Sequence, residues 1–272
     1  MFHMRTRNKL YKTLCHVAAL LSAGMCSSTA FAQVSLYDAE KRGSLYFSVG
    51  NNTPNHRPST IEVVSGTPGN VSNYKWEKVD GDNSTTKTTG LNYNIRVGYF
   101  FDYFQNWAIE LCYDPVKYHI ASGQMVKMTG MLDNRDIDTS FAFTPDNGYF
   151  YNIAGSNFLN VNVLRRFQIY QIKSHNVRID ALAKVGIGPC MPYTYNSIMG
   201  KTAERPQFQM GGWNAGAEGA LRLTLMRHVF AEASYKYSYA SYKDLIVFNG
   251  VAQQKLVTAQ MVFSVGYWFA TT

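Results

Sequence analysis

The chain has 272 residues, with 26 Lys and Arg against 18 Asp and Glu. Arg5, Arg7, Lys9 and Lys12 stand in the first 32 positions with no acidic residue, so the remainder carries 22 basic against 18 acidic side chains, about +4. That small excess argues against a nucleic-acid binder. An aromatic content of 14% argues against disorder, and no later run of about 18 apolar residues marks a transmembrane helix.

The basic start leads into the apolar run Leu14–Ala23 and then Ser27-Ser-Thr-Ala-Phe-Ala32, an A-x-A cleavage pattern. The expectation is a signal peptide over 1–32, a periplasmic segment over 33–42 and a mature start near Gln33. Met25 before Cys26 argues against a lipoprotein, since a small residue is expected there. Cys15 and Cys26 leave with the leader. Cys112 and Cys190 remain, on strands placed as non-neighbours, and are expected as free thiols without a metal site.

The rest reads by twos. Leu45, Phe47 and Val49 alternate with Tyr46, Ser48 and Gly50. Over 91–101, Leu91, Tyr93, Ile95, Val97, Tyr99 and Phe101 oppose Asn92, Asn94, Arg96 and Gly98. Trp107, Ile109, Leu111 and Tyr113 oppose Glu110, Cys112 and Asp114. Over 157–167, Leu159, Val161 and Val163 oppose Asn160, Asn162, Leu164 and Arg166. Over 176–188, Val177, Ile179, Ala181, Ala183, Val185 and Ile187 oppose Arg178, Asp180, Lys184 and two glycines. Residues 212–225 set Trp213 to Leu225 in odd positions against Asn214, Glu218, Arg222 and Thr224. Residues 228–240 set Val229 to Tyr239 in odd positions against Glu232, Ser234, Lys236 and Ser238. The last segment, Leu256-Val-Thr-Ala-Gln-Met-Val-Phe-Ser-Val-Gly-Tyr-Trp-Phe269, alternates throughout. These runs match tilted membrane-crossing strands of about 9–11 residues better than the shorter strands, charged outside, of a soluble sandwich.

Eight segments result. The links after strands two, four and six are short (102–106, 168–175, 226–228). The others are long, about 51–90, 119–156, 189–211 and 241–255. Short turns at one end and long loops at the other are the pattern of an antiparallel up-and-down transmembrane β-barrel. It spans 43–269, with a tail over 270–272. Loop two could fold as a hairpin, Gln124–Leu132 with Ile137–Thr144 about Asp133–Asp136, which would make ten strands if it entered the membrane.

The pattern resembles the small eight-stranded outer-membrane proteins, such as the OmpA transmembrane domain, OmpX and OmpW. The resemblance is architectural and covers about Gly43 to Phe269. Phe263, Val265, Tyr267 and Phe269 look like the terminal assembly signal of that class, although Ala270-Thr271-Thr272 follow where those proteins usually stop. It implies an integral outer-membrane monomer with extracellular loops, both termini periplasmic, and contact with lipid, lipopolysaccharide and the barrel-assembly machinery. No peptidoglycan-binding domain is expected after the last strand.

The inward parity collects Arg96, Glu110, Asp114, Arg166, Arg178, Asp180, Lys184, Glu218, Arg222, Glu232 and Lys236, six bases and five acids in one narrow cylinder. The expectation is an ion-paired plug, with Arg222 and Glu232 at similar heights; a polar path for small solutes is the alternative. A lipid A-modifying enzyme is the second alternative. His119 and Ser122, after Asp114, supply residue types for a Ser-His-Asp arrangement but no motif. His175 and His228 fall in short periplasmic turns. No zinc, phosphate-loop or dinucleotide motif appears, so no cofactor, metal or nucleic acid is expected. Tyr74 and Trp76 interrupt a polar first loop, either to meet a surface ligand or to pack the loops. The function expected is therefore non-enzymatic, in envelope integrity or surface binding.

Overall fold

The computed structural model describes residues 43–67, 69–83, 92–102, 104–172, 176–202 and 208–270. The expected leader, the segment 33–42 and His175 lie outside them. Sixteen strands account for most of the described residues: β1 Ser44–His56, β2 Ser59–Thr67, β3 Asn70–Val79, β4 Tyr93–Phe100, β5 Trp107–Asp114, β6 Tyr118–His119, β7 Met125–Leu132, β8 Arg135–Ala142, β9 Phe150–Gly155, β10 Phe158–Ile172, β11 Val177–Pro189, β12 Tyr193–Ile198, β13 Lys201–Thr202, β14 Gly212–Leu225, β15 Val229–Val247 and β16 Gly250–Ala270.

Eight of them close a ring in the order β1-β4-β5-β10-β11-β14-β15-β16, with β16 pairing back onto β1. Every neighbouring pair is antiparallel, so this is an up-and-down barrel with no open edge in its wall. The hairpin β7–β8 stands outside the ring, which has eight strands and not ten. Following partners round from Leu45 through Tyr99, Ile109, Val163, Val185, Ala217, Tyr237 and Ala259 returns to β1 at Asn55, ten residues further on. For eight strands that stagger implies a tilt of about 40° and a backbone radius of about 8 Å, an interior that side chains can fill.

The alternation sorts the faces. Outward lie Phe47, Leu111, Val161, Ile187, Leu221 and Phe263, all exposed, in a band without carboxylates. Aromatic residues edge it: Tyr99, Phe101, Phe167, Tyr267 and Phe269 toward the short turns, and Tyr93, Trp213 and Tyr237 toward the other end. Inward, the turn end is floored by Tyr46, Phe100, Leu164, Leu182, Phe230 and Trp268. Two glycines make that floor possible. A Cβ on Gly98 would stand 2.2 Å from the Tyr46 ring, and one on Gly266 2.2 Å from Phe230. Without side chains there, the two rings pack directly against the glycine backbones.

Several links differ from the sequence reading. Strand one runs on to His56, because Asn51 to His56 pair with β16. The link 241–255 is not a loop: β15 and β16 continue to a tip at Phe248–Asn249. The alternation fails there because a register shift between Tyr242 and Leu245 leaves Lys243 and Asp244 both exposed. A second shift, at Gln168 to Tyr170, hides the extension of β10 to Ile172. Ala270 is not tail but the last residue of β16, paired with Ser44.

Beyond the barrel, β16 pairs with β2, and the sheet continues through β3 and β7 to β8. A second sheet runs β13-β12-β9-β6. Ile61, Val63, Tyr74, Trp76, Val126 and Met128 of the first share one apolar core with Tyr118, Tyr151, Ile153 and Ile198 of the second. The aromatics of the first long link are therefore internal. Trp76 is fully buried and meets Phe143, Tyr149 and Tyr151 edge-on, at ring distances of 5.5, 6.2 and 6.2 Å.

Truncating Trp76→Ala removes the largest side chain of this cap and is expected to cost about 3–5 kcal/mol of its stability. Urea unfolding followed by near-ultraviolet circular dichroism should show an earlier cap transition. Heat-modifiable gel migration, which reports the barrel, should be unchanged.

Candidate functional site

Each charged residue of the lumen is placed by the strand alternation, and several are held by partners on strands that face them across the interior. Arg96 on β4 donates from Nη1 to Glu218 Oε1 on β14 at 2.5 Å and to Glu232 Oε1 on β15 at 3.4 Å. Lys184 on β11 reaches Glu232 at 2.7 Å, Glu110 on β5 at 3.2 Å and Glu218 at 3.3 Å. Lys236 on β15 donates to Asp114 on β5 at 2.6 Å. In the ring, β4 faces β14 and β5 faces β15, so Arg96–Glu218 and Lys236–Asp114 tie opposite walls together. Glu110 also accepts from Tyr46 Oη at 2.5 Å and from Asn162 Nδ2 at 2.8 Å.

Toward the floor, Arg222 pairs with Glu232 at 2.6 Å and stacks over Phe230 and Tyr46, its guanidinium carbon 4.2 and 4.5 Å from their ring centres. Arg178 meets Asp180 at 2.9 Å, and Arg166 donates to Phe104 O at 3.1 Å while lying over Phe100. The structure thus places all eleven expected residues on the inner side. Arg96, Glu110, Lys184, Glu218, Arg222 and Glu232 form one connected cluster, and Asp114 with Lys236 sits beside it. Arg166, Arg178 and Asp180 stand apart among the floor aromatics. Four central cations face four central carboxylates, a balance that buried charges demand.

Above the cluster the lining turns to amides. Both amide atoms of Asn94 and of Asn160 are buried without a protein partner, as are Arg96 Nε and Nη2. Higher still the cap core begins, closing with Tyr242, whose hydroxyl is hydrogen-bonded to Ser156 Oγ.

The junction between barrel and cap turns on His56, which the sequence reading did not single out. Its Nε2 lies 2.8 Å from Lys117 O, a carbonyl that can only accept, so Nε2 donates and Nδ1 accepts from Thr258 Oγ1 at 3.0 Å. Its backbone N–H donates to Asn83 Oδ1 at 2.7 Å, and its ring meets Tyr118 edge-on. Burial pushes its pKa down from 6.5 to about 4, opposed by the Lys117 carbonyl and assisted by nearby His119. A histidine inside a polar NNTPNH run carries no sequence signal for this role.

The acyl-transfer arrangement is not assembled. Asp114 is committed to Lys236 inside the lumen, Ser122 lies in an exposed turn, and His119 sits in β6 opposite Asn152. No hydrogen bond joins the three among the described residues. Burial lowers the pKa of His119, with Asp82 opposing. His228 lies in the turn before β15 and stacks on Tyr267 at 5.4 Å. Cys112 and Cys190 are buried free thiols. Among the described residues no group of His, Cys, Asp and Glu is placed to hold a metal.

No family model matches the chain, and no curated protein matches its sequence. Among solved structures it is similar to the outer-membrane protein OprG from Pseudomonas aeruginosa, at 13% identity over 86% of this chain and 99% of that one, TM-score 0.38. It is similar to AlkL, solved in lipid bilayers, at 10% identity over 85% and 92%, TM-score 0.40. It is also similar to the outer-membrane protease OmpT from Escherichia coli, at 8% identity over 85% and 97%, TM-score 0.33. At such identities function is read from this chain's own side chains.

Arg222→Ala strands Glu232 beside one fewer cation and is expected to cost on the order of 3–5 kcal/mol. Urea unfolding of Arg222→Ala, Glu232→Ala and the double variant in lipid should show the double costing less than the two singles together. Additive losses would mean that the pair does not interact. For His56 the folded state favours the neutral ring. Its contribution is complete above about pH 6.5 and is lost as pH falls through 4, a total on the order of 3 kcal/mol. Cap melting at pH 7.5 and pH 4 should differ accordingly, and His56→Gln should flatten the dependence.

Proposed function

We propose that this chain is an integral outer-membrane barrel with a closed lumen, and that it acts through its folded cap at the cell surface, in binding or in envelope reinforcement, without catalysis. Three features support the membrane reading. The wall has no open edge, its outer band is apolar and edged by aromatics, and short turns at one end oppose a large cap at the other. In this reading the turns and both termini face the periplasm and the cap faces outward. Phe263, Val265, Tyr267 and Phe269, all exposed on β16, serve recognition by the assembly machinery.

The observation that carries the closed lumen is the set of cross-lumen ion pairs. Arg96–Glu218 and Lys236–Asp114 span opposite walls, and the aromatic floor lies beneath them. A solute would have to break several buried pairs at once, each costly to leave uncompensated. The cap, by contrast, presents two sheets around one shared apolar core, a platform for contact.

A narrow solute path is the second reading, favoured by the amides of Asn94 and Asn160. Buried polar groups without protein partners call for solvent or solute. An enzyme acting on the lipid surface would need His119 and Ser122 to converge, which their placement does not favour.

Planar-bilayer recording of the purified protein separates the first two readings. The closed lumen predicts no reproducible single-channel steps at neutral pH. Large, regular steps from the wild-type protein would reverse the ranking.

A further inference from the structure

At the cap end of the barrel the outward-facing residues change character around the ring. On β11 and β14 the outer face ends in Ile187 and Trp213, apolar and exposed. At the rim β1 carries Asn55, Arg57 follows just past its end, and β16 carries Lys255, all three exposed. The Arg57 N–H donates to Val257 O at 3.0 Å, and Lys255 lies two residues along β16 from Val257, on the same face. Arg57 and Lys255 are therefore diagonal neighbours with backbones about 7–8 Å apart.

Like charges so placed repel. Neither has an ion pair among the described residues, and Glu62 on the adjoining β2 is held by Lys75 at 3.2 Å. The Arg57 guanidinium instead lies over the ring of Tyr237, 5.9 Å from its centre, on the lipid-facing side of β15. Tyr239, next outward along that face, packs on Trp213 at 5.6 Å. Two cations without an ion pair among the described residues thus stand where the aromatic edge gives way to polar side chains.

We propose that this sector of the rim binds the phosphate of a phosphorylated glycolipid of the outer leaflet. Arg57 and Lys255 take the anionic oxygens, and Asn55 and the Tyr237 and Tyr239 hydroxyls meet the sugar. A phosphate supplies the missing counter-charge, and charge-assisted contacts to it are stronger than neutral ones. The aromatic edge fixes the depth at which a headgroup sits, so a membrane lipid fits better than a soluble anion. The assignment rests on the outer-membrane reading proposed above and adds the partner and its contacts.

The test uses the full chain refolded in detergent and titrated with bis-phosphorylated lipid A, then with the same lipid after its phosphates are removed. Bound lipid is counted by native mass spectrometry. The wild-type protein should retain the phosphorylated form. Arg57→Gln with Lys255→Gln should bind it about ten-fold more weakly, and Arg57→Lys with Lys255→Arg should restore it. Equal retention of the dephosphorylated lipid overturns the proposal. So does displacement by equimolar inorganic phosphate, or unchanged affinity in a neutral double variant that still shows heat-modifiable migration. Failure of the wild-type protein to insert into vesicles would overturn the outer-membrane reading, and this site with it.

Discussion

Opposite charges bound across a cylinder of about 8 Å radius are the constraint on which the rest of this structure depends. In a ring of eight strands in this order β4 faces β14 and β5 faces β15, and the ten-residue stagger brings their backbones close enough for two extended side chains to meet between them. A wider ring would leave Arg96 and Glu218 to water, and a narrower one could not hold both. The hydrogen bonds of the wall fix neighbouring strands, but they leave opposite strands free to approach or part. The cross-lumen pairs remove that freedom. Glu232 accepts from Arg96, Lys184 and Arg222 at once, so changing any one cation alters the balance for the other two.

The floor follows from the same closure. Arg222 could not stay buried on its carboxylate alone, since its guanidinium has two flat faces to cover. Phe230, Tyr46 and Trp268 enclose it, and Gly98 and Gly266 give two of those rings room to lie across the lumen. What looks in sequence like two weak positions in strands is the space the rings need.

The ring was legible in the sequence because period 2 separates outward-facing from lumen-facing side chains in almost every strand, and because nearly all the wall's charges fall on the inward parity, with Arg165, outward beside Trp107, the exception. Legibility failed where the physical basis of the pattern changes. Above Gly50 the outer face of β1 leaves the apolar zone, so Asn51, Thr53 and Asn55 read as a turn although their backbone stays paired. At Lys243–Asp244 and at Gln168–Tyr170 an extra residue inverts the parity, and the alternation cancels while the strand continues. The cap was harder still. Tyr74 and Trp76 are internal only because β2 pairs with the extension of β16, a contact between residues some 190 positions apart that no local pattern encodes. Of the candidate site, the identity of the charged residues was readable. Their division into a central cluster and a floor group was not, since it depends on which strands face each other.

The barrel and the cap therefore answer to different solvents through one continuous sheet. In the wall the apolar side chains point outward and the polar ones are buried. Past the rim, β15 and β16 keep their pairing but present Leu245, Val247 and Ala252 to an apolar core. The register shift at Tyr242–Leu245 lies on this extension and changes which residues face inward. Its two exposed residues let the alternation restart on the opposite parity, so the strand can obey the wall's rule below and the cap's rule above. Among the surfaces that the two cores leave outside, the rim of β1 and β16 carries Arg57 and Lys255, exposed and without an ion pair among the described residues.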